Sequence, residues 1–397
     1  MIFLTLVSTI SVLLFTPDSQ PFNELHGAIA VAGPQAQTSR PACRVSCDIR
    51  LERVAVLGRE TDSIDLLDRS TITRLSNGEF AVTPTSINGT VAIYSPDGRL
   101  LRILSREGLG PNELVRPTAI RRLPGDTLAV YELGVNRETL MNPDGRIVRR
   151  RKLEAIPKPY AYAVCGDDLV LSHHLRTPSR AGFLFHVIDP SSGRVGRSFG
   201  SAASGRSTVN GLVPAARPVS AINQSRFWAS DPERARFELY ETSGTLVRTL
   251  APQLAWFVAP PSGAPEGVLS HRGRAVTRVY SIQADGEDLL WVFAVRAGPR
   301  SLALERKAGA SHVPQDPGDE QDYETLISAV DGKTGLVLAT TVHRGLLFGP
   351  HDGLLLRRPE APSGWVASEL LAYRLVERTG PRTVPRGSRT QLEQQRD

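Results

Sequence analysis

Lysine is almost missing from this chain: of 47 basic side chains, only Lys152, Lys158, Lys307 and Lys333 are not arginine. The net charge of +6 is spread along arginines from Arg40 to Arg396, among 41 acidic residues. No stretch joins a dense basic run to interleaved aromatics, and aromatics make up only 6% of the chain. That leaves few platforms on which bases would stack, so no nucleic-acid partner is expected. At 41% hydrophobic and 22% charged, the composition is that of a folded globular protein.

Long apolar runs are equally scarce. One stands at the N-terminus, from Ile2 to Phe15 and ending at Thr16-Pro17. It suits the apolar segment of a signal peptide and is too short to span a bilayer comfortably. No Lys or Arg precedes it, and the nearest small-x-small sites, Ala28-Ile29-Ala30 and Ala30-Val31-Ala32, lie well downstream. Residues 1–42 are read as a signal peptide and flexible segment, with export to the periplasm or the extracellular space and no transmembrane span.

Cysteine is limited to Cys43, Cys47 and Cys165. An oxidising compartment permits one disulfide, Cys43 to Cys47 or either of them to Cys165, and leaves one thiol over. The spacing of Cys43 and Cys47 is not that of a redox motif or zinc knuckle, and no second pair completes four ligands. Also missing are a G-x-S-x-G elbow, an H-E-x-x-H helix and a calcium loop of EF-hand type, which removes the more recognisable hydrolase and metal motifs.

What the chain does have is a repeat. Turn sequences recur at Ser95-Pro96-Asp97-Gly98, Asn142-Pro143-Asp144-Gly145, Asp189-Pro190-Ser191-Ser192-Gly193, Glu241-Thr242-Ser243-Gly244 and Asp331-Gly332-Lys333-Thr334-Gly335. Their closing glycines, 98, 145, 193, 244 and 335, are spaced by 47, 48, 51 and 91 residues. Short alternating apolar runs flank each turn, the pattern of β-hairpins rather than helices. Four-strand units follow over 74–104, 118–153, 160–199 and 219–250. A fifth begins near Val276 and detours through a polar loop, and a shorter sixth lacks one strand. The segment Ile49 to Leu57 has no partner of its own and is the natural donor of the missing strand, closing a ring without open edges. An all-β, six-bladed β-propeller over 43–378 is predicted, with a disordered tail over 379–397.

Several segments carry a family resemblance. Ser105 to Leu114 (SREGLGPNEL) resembles the interblade G-x-G-P-x-E segment of six-bladed propellers related to NHL repeats. Tyr131-Glu132 with Asn136-Arg137 resembles their strand-ending acid followed by an arginine loop, and Asp231 with Arg236 repeats the pattern. The resemblance is to exported bacterial propellers and implies a scaffold more than a chemistry. The Gly108–Pro111 stretch is read as a turn between blades rather than a phosphate loop, since neither lysine nor helix follows.

For a channel or rim binding site the candidates are Tyr160, His173, His174, Arg217, Arg278 and His343, all near predicted strand ends. His173, His174, His343 and His351 do not make a metal set, because adjacent histidines on a strand face opposite ways. No catalytic or metal residues are assigned and no cofactor is expected. Calcium at Asp316, Asp319 and Asp322 fits no standard loop spacing. The expected function is a monomeric, non-catalytic exported module binding a protein, peptide or glycan. The alternative is a metal-dependent propeller hydrolase, lactonase or lyase with its ligands at the channel.

Overall fold

The computed structural model describes residues 47–378, apart from 60–61, 63, 65, 67–69, 85–88, 174, 176–179, 181, 202–215, 262–268, 272–273, 309–321 and 359–366. Cys43, His174, most of the acidic loop with Asp316 and Asp319, the N-terminal apolar run and the tail therefore lie outside the described residues.

Six antiparallel sheets form the blades. Strand β1 (Cys47–Leu57) comes first in the chain but belongs to the last blade. Blade one follows with β2 (Thr71–Arg74), β3 (Phe80–Thr83), β4 (Val91–Tyr94) and β5 (Leu100–Glu107). To β5 the short β6 (Glu113–Leu114) adds in parallel. Blade two is β7 (Pro117–Arg122), β8 (Leu128–Glu132), β9 (Arg137–Met141) and β10 (Ile147–Lys152). Blade three is β11 (Tyr162–Cys165), β12 (Asp168–Ser172), β13 (Phe183–Ile188) and β14 (Val195–Ser201). Blade four is β15 (Val219–Ala221), β16 (Arg226–Asp231), β17 (Arg236–Glu241) and β18 (Leu246–Leu250). A hairpin, β19 (Ser270–His271) with β20 (Arg274–Ala275), leads into blade five. That blade consists of β21 (Arg278–Asp285), β22 (Leu289–Ala297), β23 (Tyr323–Asp331) and β24 (Val337–Arg344). In blade six, β25 (Leu347–His351), β26 (Leu354–Arg357) and β27 (Ser368–Glu377) pair in order, and β1 completes the sheet.

Burial along each strand explains why these residues fold so. The middle strands β3, β4 and β8 are buried throughout, because neighbouring blades cover both their faces. Outermost strands such as β5, β10 and β18 keep exposed positions, as a one-sided sheet edge requires. The core is accordingly divided into apolar clusters, one at each junction between blades. Ile93 with Val130 fills the first to second junction, Tyr131 with Leu171 the second to third, and Phe185 with Phe227 the third to fourth. Trp228 with Val292 joins four to five, Phe293 with Leu355 five to six, and Leu356 with Phe80 closes six to one.

The repeating glycines do two jobs. Gly98 and Gly193 hold φ of +87° and +70°, a left-handed conformation that suits glycine. Each also presses on the outermost strand of the preceding blade, where an added Cβ would stand 2.1 Å from the carbonyl oxygen of Val56 and of Lys152 respectively. Gly145 and Gly244 sit less tightly against Leu104 and Phe199, where an added Cβ would stand 3.1 and 3.0 Å away, and Gly335 makes only ordinary contact with Leu250. The period read from the sequence is thus the period of blade-on-blade docking.

Two expectations change, and one alternative among the cysteines is removed. The long fifth step has two sources: residues 251–277 precede the inner strand β21, and helix α1 (Pro299–Ala308) intervenes between β22 and β23. Asp231 and Arg236 are cross-strand neighbours, yet Arg236 pairs with Glu238 at 2.8 Å, while Asp231 faces Arg234 and Arg217 at 3.8 and 3.9 Å. A second acid within reach on β17 captures the arginine. Finally, Cys47 is disulfide-bonded whereas Cys165 is free and buried, its thiol pushed up to about 12 by burial, so no bridge uses Cys165.

Glu132 and Arg137 do form the expected pin. The carboxylate is fully buried and accepts from Arg137 Nε and Nη2 at 2.8 Å each, from the Thr139 hydroxyl, and from the Val115 amide at 2.7 Å. The glycine-rich segment is a turn: the Glu113 carboxylate accepts the Gly110 amide at 2.8 Å. From the next blade, Arg150 Nη2 donates to the carbonyls of Gly110, Pro111 and Glu113.

Candidate functional site

The inner strands β2, β7, β11, β15, β21 and β25 begin their sheets and surround the axis. In a ring of six, blades three and six stand opposite each other. A side chain from one that touches the other therefore crosses the channel, and Tyr160 does so.

Tyr160 ends the segment leading into β11. Its φ of +63° is unusual for so bulky a residue, and such strain is commonly retained where a side chain must be held for use. Its carbonyl accepts the Val219 amide of blade four at 3.1 Å, which fixes the backbone. The phenol then reaches His351 on β25, with ring centroids 5.5 Å apart and Oη 3.4 Å from Nε2. Tyr280 on β21 meets the same ring edge to face at 6.2 Å. Its own hydroxyl donates to the Leu347 carbonyl at 2.6 Å, locking it across blades five and six. Three blades thus contribute to one aromatic group across the channel.

Burial depresses the His351 pKa from 6.5 to about 4, since a charged imidazole loses hydration there. The ring is neutral at pH 7 and exchanges one hydrogen bond with Tyr160, its direction set by the tautomer. The unfolded chain binds this proton near pH 6.5 and the folded one only near 4. Stability is therefore complete above pH 6.5 and falls as the pH drops from 6.5 towards 4. The contribution is roughly 3 kcal/mol. A His351→Gln variant should lose correspondingly less stability across that window, measured by urea unfolding at pH 7 and pH 4.5. Identical losses in both proteins would refute the assignment.

A second group lies between blades two and three. Arg121 on β7, with the small buried residues Ala119 two positions back and Ala129 directly across the strand pair, donates from Nε to the Tyr131 hydroxyl at 3.1 Å. Tyr131 meets Tyr162 of β11 edge to face at 5.7 Å. On the blade-six side, Asp352 accepts from the Thr73 hydroxyl and, at 3.2 Å, from the Arg74 amide. The Tyr373 hydroxyl donates to Gln283 Oε1. Desolvation raises the phenol pKa values of Tyr162, Tyr280 and Tyr373, so all three stay protonated donors at neutral pH.

Of the six residues singled out from sequence, Tyr160 reaches the axis and Arg278 opens the inner strand β21. Arg278 is half-buried and makes no ion pair among the described residues. His173 follows β12, its ring 6.0 Å from that of His186. Arg217 is a structural clasp: Nη1 lies 2.9 Å from Glu238, and its amide donates to the Ser172 hydroxyl at 2.8 Å. His343 sits on the outermost strand of blade five, not at the channel. There burial, then the nearby Arg357, lower its pKa against the opposing pull of Glu369. Among the described residues, no three His, Cys, Asp or Glu side chains are grouped to hold a metal.

His351, Tyr280, Arg121 and Tyr162 were not selected as site residues. Each lies on the innermost strand of its blade, and membership of that strand, rather than its place along it, is the signal they share.

Neither protein-family models nor curated proteins match the chain. Solved structures do. A member of the DUF4221 family from Bacteroides vulgatus superposes with a TM-score of 0.58 at 12% identity, over 83% of this chain and 99% of that one. A Bacteroides fragilis protein assigned to export gives 0.55 at 13% identity, over 84% and 97%. At such identity these likenesses show one thing: the chain is a six-bladed β-propeller.

Proposed function

We propose that this propeller is an exported, non-catalytic binding module that takes a protein, peptide or glycan of the cell envelope at its inner strands. The observation that carries this reading is the group Tyr160, Tyr280 and His351, contributed by three blades and meeting across the channel. The faces of two phenol rings, beside a neutral imidazole, suit a ligand with both apolar faces and hydrogen-bonding groups. The six-blade frame holds them rigidly, which limits the entropy lost on binding. Export is supported by the apolar run Ile2 to Phe15 and by the disulfide at Cys47, a bond that persists in oxidising compartments.

Binding of a panel of envelope glycans and peptides by calorimetry tests the proposal. A ligand bound by the wild type should bind roughly tenfold or more weakly to Tyr280→Ala, the loss expected from removing a buried aromatic contact. Turnover of a panel member, or stoichiometric calcium or zinc in the purified protein with hydrolysis of a lactone, would overturn the non-catalytic reading. Undiminished affinity in the variant would overturn the placement of the binding site at the channel group.

A further inference from the structure

We propose that Arg121, its guanidinium held by the buried Tyr131 hydroxyl and flanked by Tyr162, forms an oxyanion subsite that receives a carboxylate group of the ligand. The inference deepens the binding reading above and rests on it for the identity of the whole ligand, but not for the subsite itself.

Charged side chains held away from bulk water are normally matched by an opposite charge. Three arginines of this blade obey that rule: Arg137 is matched by Glu132, Arg151 by Glu138 at 2.8 Å, and Arg122 by Asp126 at 3.6 Å, while Arg150 spends its Nη2 on three backbone carbonyls. Arg121 breaks it. It is half-buried on an inner strand, its Nε is spent on the neutral Tyr131 hydroxyl, and its two terminal amino groups meet no acceptor among the described residues. The carboxylate nearest in effect is Glu138, which is already claimed by Arg151 at 2.8 Å and approached by Arg149 at 3.9 Å. One carboxylate thus serves three guanidiniums, which leaves the local charge net positive.

The remaining parts are those of an anion cradle. A guanidinium whose Nε is fixed presents a planar pair of N–H donors, the geometry that grips a carboxylate with two parallel hydrogen bonds. Tyr131 holds that plane in place, and Tyr162, packed on Tyr131 at 5.7 Å, adds a protonated hydroxyl. Small residues at Ala119 and Ala129 leave the arginine room to lie along the blade rather than be expelled from it.

The test begins with small probes. At matched ionic strength, replacing chloride by acetate or sulfate should raise the melting temperature of the wild type by a few degrees, because an anion bound only by the folded state stabilises it. Arg121→Gln should lose this rise, and Arg121→Lys should keep only part of it. Absence of an anion-specific rise in the wild type, or an equal rise in Arg121→Gln with Arg121→Lys indistinguishable from both, overturns the subsite. In the second arm, galacturonate is compared with galactose, and a peptide bearing a free C-terminal carboxylate with its amide. The acidic member of a pair should bind at least about tenfold more tightly, an advantage lost in Arg121→Gln. The pair that shows it identifies the source of the carboxylate. If acetate stabilises through Arg121 while no glycan or peptide binds, the subsite stands and the envelope-binding reading fails.

Discussion

Replacing Glu132 by alanine should destabilise the propeller by about 3–5 kcal/mol, the range seen when one partner of a buried ion pair is removed. Its carboxylate is fully buried and satisfies four donors at once: two from Arg137, the Thr139 hydroxyl and the Val115 amide. Alanine would leave the Arg137 guanidinium, only 17% exposed, without a counter-charge. It would also leave the Val115 amide unsatisfied, in the segment that joins blade one to blade two. Native domains have only about 5–15 kcal/mol in hand, so the variant should approach its folding limit. Glu113→Ala is the control. Glu113 also pairs with an arginine, but Arg106 is 85% exposed, and such surface pairs contribute about 0–1 kcal/mol. Urea unfolding of both variants measures the contrast. A loss below about 1 kcal/mol for Glu132→Ala would mean the pin is dispensable, since unsatisfied buried groups alone should cost more.

Glu132 was legible in the sequence because both halves of its pair lie within one hairpin, at a spacing repeated in a known kind of blade. The same reasoning went astray at Asp231, where Glu238 lies two residues beyond Arg236 on the same strand and takes it. Local spacing identifies which residues are neighbours; it does not decide which of two acids wins. The blades themselves were legible for a related reason. Each turn glycine must both adopt positive φ and dock against the preceding blade, so the repeat is written twice in the same residue. The channel group was far less legible. Tyr160 and His351 are 191 residues apart in the chain, and their meeting depends on the closure of a ring rather than on any motif. Arg121 was hidden differently: among so many arginines, one whose terminal amino groups meet no carboxylate stands out only when the partners of its neighbours in the blade are known.

Closure of that ring is where the largest effect is expected. A protein from which residues 47–57 are deleted should fail to form the cooperative propeller. Strand β1 pairs with β27 from Cys47 opposite Glu377 to Leu57 opposite Ser368, with one bulge between Arg53 and Ala55. Without it, a long edge of β27 would be left open in a sheet whose other face is apolar, a template for intermolecular pairing. The side chains lost are not peripheral. Leu57 is fully buried with Phe80, Leu356 and Leu370 at the junction of blades six and one, and Cys47 packs with Tyr373 and Leu375 at the junction of five and six. Burial of Leu57 alone contributes about 1.5–3 kcal/mol. The Gly98 turn of blade one would also lose the Val56 backbone on which it sits. The ion pairs along this strand, Arg53 with Glu369 and Arg374 with Glu52, have exposed members and do little to hold it. Backbone pairing and the two apolar junctions therefore carry the closure. Circular dichroism and urea unfolding of the deleted protein should show a broad, early transition with dye-binding apolar surface. A synthetic peptide of residues 47–57 should restore a sharp transition in a concentration-dependent manner, because the strand then binds as a ligand of the folded state. A deleted protein that unfolds sharply at the wild-type midpoint would show that five complete blades and an open sixth are enough.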